Sequence, residues 1–148
     1  MQQTDYPREV NLTIPIIPDM EVAATQTAEA VLKFMAYTPD QIDEVKHALI
    51  EACINAFEHR ASQDRNVYIK FVMQPDELLV LIQDFGQGFD AEAVPRPDLA
   101  AKVGGEDAYK RGWGLKMMES LMDSVVIESG AHGTRIRMTK KRTEEAQA

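Results

Sequence analysis

Three polar residues, Glu51, Asn55 and His59, are spaced four positions apart in the sequence. On an α-helix, residues four apart lie one above another on the same face. A carboxylate, an amide and an imidazole would therefore form one row of candidate catalytic and ligand-binding groups. An ordinary solvated helix edge can carry the same residue types, so the row alone leaves both interpretations open.

The helix that would hold this row is predicted from about Asp40 to Ala61, with Thr38 or Asp40 as its N-terminal cap. Its apolar residues fall on one stripe at helical spacing, which predicts the core face: Ile42, Val45, Leu49, Ala52 and Ala56. The polar row falls beside that stripe. In such a half-sheltered position a carboxylate can have a shifted pKa, and an amide oxygen can meet a metal ion with little competing water.

A first glycine cluster, Asp84-Phe85-Gly86-Gln87-Gly88, follows directly on an apolar strand. An aspartate at the end of a strand can accept a hydrogen bond from an exocyclic amine. Neighbouring glycines allow a flat ring to approach the backbone closely. Aspartate and glycine are also common in plain turns, which is the alternative interpretation.

A second cluster, Lys110-Arg111-Gly112-Trp113-Gly114-Leu115-Lys116, leads into a predicted helix. A glycine loop at a helix N-terminus can bind an anion, because free N–H groups and the helix dipole face the ligand. Its three cations stand in an otherwise acidic chain. Neither the Walker pattern nor the dinucleotide fingerprint is present, and a flexible hinge is the alternative.

The charge of the whole chain limits its partners. Lys and Arg number 16 and Asp and Glu 24, which gives 16 − 24 = −8. This balance disfavours broad nucleic-acid binding but allows a small phosphate ligand. The single cysteine, Cys53, predicts a packing role and a reducing compartment. With no basic leader at the start and no apolar run long enough for a bilayer, we expect a cytoplasmic protein without a membrane partner.

The elements that must position these groups follow the order β-α-α-β-β-loop-α-β-β. The predicted strands are 9–17, 66–73, 77–83, 123–128 and 134–138, and the predicted helices are 21–36, 40–61 and 115–122. Pro15 predicts an edge position or the end of a strand for the first of them. Two hairpins exclude a purely parallel sheet. We therefore predict an α+β two-layer sandwich, with a mixed, mostly antiparallel sheet and the helices on one face.

Taken together, order and spacing resemble the ATP-binding fold shared by gyrase, Hsp90, histidine kinases and MutL, known as the Bergerat fold. Within that superfamily the chain looks most like the bacterial anti-sigma-factor serine/protein kinases. The resemblance covers residues 9–140 of a single 148-residue domain, followed by a polar tail expected from Lys140 onward. Four motifs carry it: Glu51-x-x-x-Asn55-Ala56-x-x-His59, Asp84-x-Gly86-x-Gly88, Arg111-Gly112-x-Gly114-Leu115 and Gly133-Thr134.

For the polar row, the resemblance implies three separate roles. Glu51 would be the general base that takes the proton from a substrate serine. Asn55 would ligate a Mg²⁺ ion that bridges the phosphates of ATP, and His59 would lie close to the nucleotide.

For the glycine motifs, the resemblance implies an adenine pocket and a phosphate loop. Asp84 would accept the adenine amine with the help of Thr134, and Gly86 and Gly88 would line the pocket. Residues 91–110 would form the ATP lid. The phosphates would be wrapped by the run Lys110, Arg111, Gly112, Trp113, Gly114, Leu115 and Lys116.

The implied function is a serine kinase that phosphorylates an anti-sigma-factor antagonist of the STAS type, sequesters a sigma factor and serves a stress response, usually as a homodimer. Two departures concern Lys116, where many members have a third glycine, and helix 21–36, whose only cation is Lys33. An ATP-binding switch without kinase output, which would control a partner such as a phosphatase, is the main alternative. A detached histidine-kinase catalytic domain is another.

Overall fold

The computed structural model describes residues 8–58, 65–85, 114–130 and 133–143. Within these ranges the chain forms one sheet and a layer of helices. The elements are β1 (Arg8–Pro15), α1 (Glu21–Phe34), α2 (Pro39–Glu58), β2 (Asn66–Met73), β3 (Glu77–Asp84), α3 (residues 114–121), β4 (Ser124–Gly130) and β5 (Gly133–Lys141).

The sheet has the strand order β1-β2-β3-β5-β4, and each of its described pairings is antiparallel. The predicted α+β sandwich is confirmed. β1 is an edge strand and ends at Pro15, as the missing N–H of proline predicts. The helices cover one face, where alternate residues of the strands are buried, among them Ile69, Phe71, Val80, Ile82, Ile136 and Met138.

The closing hairpin is longer than the sequence indicates. Its strands extend to Gly130 and from Gly133 to Lys141, so less of the predicted turn at 129–133 is left for the turn itself. The expected start of the polar tail at Lys140 is therefore wrong, because Lys140 and Lys141 are part of β5. Lys140 pairs across the sheet with Leu78, and that pairing holds a charged residue in a regular strand.

Helix α1 ends two residues earlier than predicted. Ala36 takes a left-handed conformation at φ 64°. The N–H of Tyr37 then donates to the carbonyl of Leu32 and that of Ala36 to Lys33, both at 3.0 Å. This is a Schellman motif, which satisfies the last carbonyls of the helix and stops it there.

Helix α2 begins with a capping box. The N–H of Gln41 donates to Oγ1 of Thr38 at 3.2 Å, and the N–H of Thr38 donates to Oε1 of Gln41 at 3.3 Å. Thr38 is therefore the cap, with Pro39 at the first helical position, where its missing N–H is harmless. The helix is described as far as Glu58, and the predicted extension to Ala61 lies outside the described residues.

A set of buried polar contacts fixes the N-terminal end of α2 to the end of β5. Tyr37 donates its hydroxyl to the carbonyl of Lys140 at 2.6 Å, and Gln41 donates Nε2 to the carbonyl of Lys141 at 2.8 Å. Nζ of Lys140 lies 2.8 Å from Oε1 of Glu44 and donates to the carbonyl of Leu121, at the last turn of α3, at 2.6 Å. We call this set the α2–β5 clamp.

No described helix is both long and apolar enough to cross a bilayer.

Candidate functional site

The polar row of α2 lies at the border of the core, as its helical spacing predicts. Glu51 is half-buried and Asn55 is 8% exposed, while the adjacent Ala52 and Ala56 are buried among core side chains. Within the described part of the chain, Oδ1 of Asn55 is buried and has no hydrogen-bond partner. A buried amide oxygen without a partner is costly unless a ligand satisfies it, so Asn55 is suited to hold one.

Cys53 lies between these residues in sequence and faces the core. It is fully buried, and burial, with a smaller contribution from the charge of Glu21, raises the pKa of its thiol to about 12. A thiol with that pKa is almost entirely protonated at neutral pH and inert as a nucleophile. The predicted packing role of Cys53 is confirmed.

The first described turn of α3 lies against the polar row. Gly114 is buried, and a β-carbon at this position would lie 2.8 Å from Oε1 of Glu51. Leu115 and Met118 face the core, which fixes the orientation of α3, whereas Lys116 is exposed on the outer side. The structure thus brings one glycine of the second cluster into contact with the carboxylate that leads the row.

Asp84 and Thr134 are direct partners at the ends of β3 and β5, and each is only 3% exposed. Gly133 precedes Thr134 with φ +123°, a conformation that side chains rarely adopt. A β-carbon at Gly133 would also overlap the carbonyl oxygen of Asp84. Glycine is therefore required for β5 to come this close to Asp84.

Two residues that the sequence analysis did not single out support this pair. Gln83 donates Nε2 to the carbonyl of Asp84 at 3.0 Å and to that of Thr134 at 3.5 Å. The hydroxyls of Ser129 and Thr134 lie 3.1 Å apart. Ser129 is opposite Thr134 in the β4–β5 pairing, so the register of the closing hairpin is the signal that could have identified it.

The polar row and the Asp84–Thr134 pair belong to the same end of the molecule. The α2–β5 clamp fixes the start of α2 beside Lys140 and Lys141 at the end of β5. From there the helix advances about 1.5 Å per residue. Helix α3 contacts Lys140 at its last turn and Glu51 at its first described turn, so Glu51 lies away from the clamp, and the start of β5 is the end of that strand away from the clamp. Glu51 and Asn55 are consequently carried toward the strand ends that hold Asp84 and Thr134.

The remaining predicted site residues lie outside the described residues. They are His59, Gly86, Gly88, Lys110, Arg111, Gly112 and Trp113, together with the lid 91–110. Their predicted roles stay predictions.

Comparisons with known proteins identify the family of the chain. Residues 16–140 match the family model of the histidine kinase-like ATPase domain. The chain is 32% identical over 136 residues to the serine-protein kinase RsbW of Bacillus subtilis. This match covers 88% of this chain and 84% of the relative. It is 29% identical over 137 residues to the anti-sigma F factor of Oceanobacillus iheyensis, covering 90% and 92%.

A solved structure of the RsbU and RsbW domains of a Mycobacterium tuberculosis protein matches 94% of this chain and 34% of that one, with a TM-score of 0.71 at 20% identity. That likeness shows the fold. The family model and the relatives together show that the chain belongs to the histidine kinase-like ATPase domain family. Within it, the chain is of the type of the anti-sigma serine-protein kinases, and ATP is the nucleotide that the family implies.

Proposed function

We propose that this protein is an ATP-dependent protein-serine kinase and anti-sigma factor, which phosphorylates a serine of a STAS-type antagonist and sequesters a sigma factor. The contact between Glu51 and Gly114 supports the proposal, because it joins a carboxylate to a glycine of the cluster that is predicted to bind the phosphates. The relatives named serine-protein kinase and anti-sigma F factor support both halves of this function.

Recognition of adenine is proposed for Asp84 and Thr134. Both are buried at adjacent strand ends, so a hydrogen bond from the exocyclic amine to the Asp84 carboxylate would form away from competing water. Ser129 and Gln83 hold the surroundings of that carboxylate and hydroxyl in place. Guanine carries an oxygen where adenine carries its amine, so the carboxylate favours ATP over GTP.

Binding of Mg²⁺ is proposed for Asn55. Among the residues that the structure describes, the buried Oδ1 of Asn55 has no hydrogen-bond partner, and it fits a hard cation that prefers oxygen ligands. When bound, the ion would neutralise charge on the phosphates. The contribution of the chain is to hold one amide oxygen rigidly in a sheltered place on α2.

The proposed chemistry needs one proton acceptor, and Glu51 is its candidate. The serine oxygen forms a bond to the γ-phosphorus, its proton passes to the Glu51 carboxylate, and the bond to the bridging oxygen breaks as ADP leaves. Glu51 is half-buried on α2, and its carboxylate lies against Gly114. Phosphoryl transfer depends mainly on such positioning and on charge neutralisation.

The test is transfer of phosphate from [γ-³²P]ATP to purified candidate STAS proteins by the wild type, Glu51→Ala and Glu51→Gln. We expect both variants to lose about 10²- to 10⁴-fold in rate, the range for a lost general base, and to retain ADP binding by calorimetry. Glu119→Gln, on the exposed side of α3, is the matched control. Equal transfer by all four proteins would remove Glu51 as the base. Binding of Mg·ATP without transfer by the wild type would favour a regulatory switch.

We also propose that the protein is a homodimer joined through the sheet face opposite the helices. A groove of about 320 Å³ on that face is lined by residues such as Tyr68, Lys70, Leu81, Arg135 and Arg137. The same face carries both basic and acidic groups: Glu9 lies 3.7 Å from Lys70, and Glu128 lies 3.9 Å from Arg135. The acidic charge of the chain fits protein partners rather than nucleic acid. The single buried cysteine fits a place in the cytoplasm.

Sedimentation equilibrium tests the dimer directly. Leu81→Glu puts a charge at the centre of the proposed interface and should give a monomer, while Gln26→Glu on the exposed side of α1 should leave the mass unchanged. A thermal melt of both variants separates a lost interface from a lost fold. A wild type that is monomeric at high concentration would contradict the proposal.

A further inference from the structure

We propose that Gly114 is a positioning residue for Glu51, because the side chain that glycine lacks leaves the space in which the Glu51 carboxylate lies. Gly114 would then fix the position of the proposed proton acceptor, in addition to the predicted role of its cluster in phosphate binding. This inference rests on the proposed function, since it concerns the same site. It adds a requirement that phosphate binding alone would not impose.

The contact between the two residues is direct. An added β-carbon at Gly114 would lie 2.8 Å from Oε1 and 3.8 Å from the carboxyl carbon of Glu51. The first distance is shorter than real β-carbon contacts, and both nearest atoms belong to one side chain. Any other residue at this position would have to displace that carboxylate.

The backbone of Gly114 gives no separate reason for glycine. The residue is helical and has no left-handed φ. Alanine forms helices better than glycine, so the local preference would favour alanine here. Gly114 therefore differs from Gly133, which requires glycine both for its φ of +123° and for its approach to the backbone of Asp84.

The expected response to a side chain at Gly114 follows from what can move. Leu115 and Met118 anchor α3 in the core, and Ala52 and Cys53 anchor α2, whereas the end of the Glu51 side chain turns about flexible bonds. Gly114→Ala should therefore leave the protein folded and move the carboxylate. Displacement of a reacting group by about 1 Å can cost about 10²-fold in rate. Adenine contacts at Asp84 and Thr134 should be untouched.

The experiment compares Gly114→Ala with Gly130→Ala, a matched control because a β-carbon at Gly130 meets nothing within 4 Å. We expect Gly114→Ala to lower the single-turnover rate of transfer about 10- to 100-fold, with ADP affinity changed less than about threefold, a split that separates positioning from binding. Gly130→Ala should match the wild type in both.

A second measurement does not depend on kinase activity. The ¹³C signal of the Glu51 carboxyl, assigned by its loss in Glu51→Gln, is recorded at one pH in the wild type and in both alanine variants. We expect its chemical shift to move in Gly114→Ala and to stay in Gly130→Ala. This readout stands even if the wild type transfers phosphate to no STAS protein, so failure of the proposed function and failure of this inference are distinguishable.

A rescue completes the test. Aspartate is one methylene shorter and withdraws from the added methyl group, so Glu51→Asp should cost less in the Gly114→Ala background than in the wild type. An unchanged chemical shift of the Glu51 carboxyl in Gly114→Ala would overturn the inference. So would a loss confined to ADP affinity, which would assign Gly114 to phosphate binding alone.

Discussion

The two ends of the sheet use buried polar groups in opposite ways. At the α2–β5 clamp, Tyr37, Gln41 and Lys140 all donate to backbone carbonyls within the fold. At the other end, the buried Oδ1 of Asn55 has no partner among the described residues. A satisfied buried network stabilises the fold, whereas an unsatisfied buried acceptor is kept where a ligand can use it. The comparison separates the part of the molecule that holds the helices in place from the part that we propose binds the nucleotide.

The largest effect is expected from two aspartates, one at each end. Asp84→Ala removes the buried carboxylate that we propose accepts the adenine amine, and it should weaken ATP binding about 10- to 150-fold, the equivalent of ~1.5–3 kcal/mol for a hydrogen bond to a charged group. Asp123 instead accepts the N–H of Lys141 at 2.6 Å, and Asp123→Ala should lower stability without changing ATP affinity. Calorimetric titration and urea unfolding of both variants check this. Equal ATP affinities in the two would remove the distinction between the ends.

The clamp itself is tested at Lys140, whose side chain is 12% exposed. Lys140→Met keeps the aliphatic stem but leaves Glu44 and the carbonyl of Leu121 without their donor. We expect a loss of ~0.5–1.5 kcal/mol in the free energy of unfolding, the typical net contribution of one hydrogen bond, because the part-buried carbonyl of Leu121 loses its donor whereas Glu44 is 42% exposed. Lys116→Met, on the exposed side of α3, is the control for removal of a charge. A loss of the same size in both would show that the clamp adds nothing specific.

A smaller effect on the free energy of unfolding is expected at the end of α1, with a control substitution whose effect has the opposite sign. Ala36 holds the left-handed position of the Schellman motif, so Ala36→Gly should raise the free energy of unfolding by ~0.5–1 kcal/mol. Ala30 lies inside the same helix and is exposed, so Ala30→Gly should lower it by a similar amount. Chemical denaturation measures both. The same sign for the two substitutions would contradict this account of the helix end.

The smallest effect concerns Glu29, which joins α1 to α2. Hydrogen bonds from Lys46 and Lys33 and the charges of both lysines lower the pKa of Glu29 from 4.5 to about 2. Because its folded pKa is depressed, its contribution is present above pH 4.5 and is lost as pH falls from 4.5 toward 2. The difference in urea midpoint between wild type and Glu29→Gln should shrink over that interval. A difference that does not vary with pH would show that the lysines do not act through the charge of Glu29.

Local patterns explain why much of the fold could be predicted. Alternation and turn residues predict the β2–β3 hairpin almost to the residue, and helical spacing predicts which face of α2 is buried. The capping pair Thr38 and Gln41 lies within one turn. The end of α1 was harder to predict, because Ala36 is an unusual residue for a left-handed position and carries no turn signature.

The sequence by itself determined the row of Glu51 and Asn55, the glycine clusters and the family that they indicate, since these depend on spacing along one helix or one loop. Only the tertiary structure decided which of these pieces touch. The strand order β3-β5-β4 places Asp84 beside Thr134, and the packing of α3 places Gly114 against the Glu51 carboxylate. Such contacts depend on how the core closes over residues far apart in the chain, and no local periodicity encodes that closure.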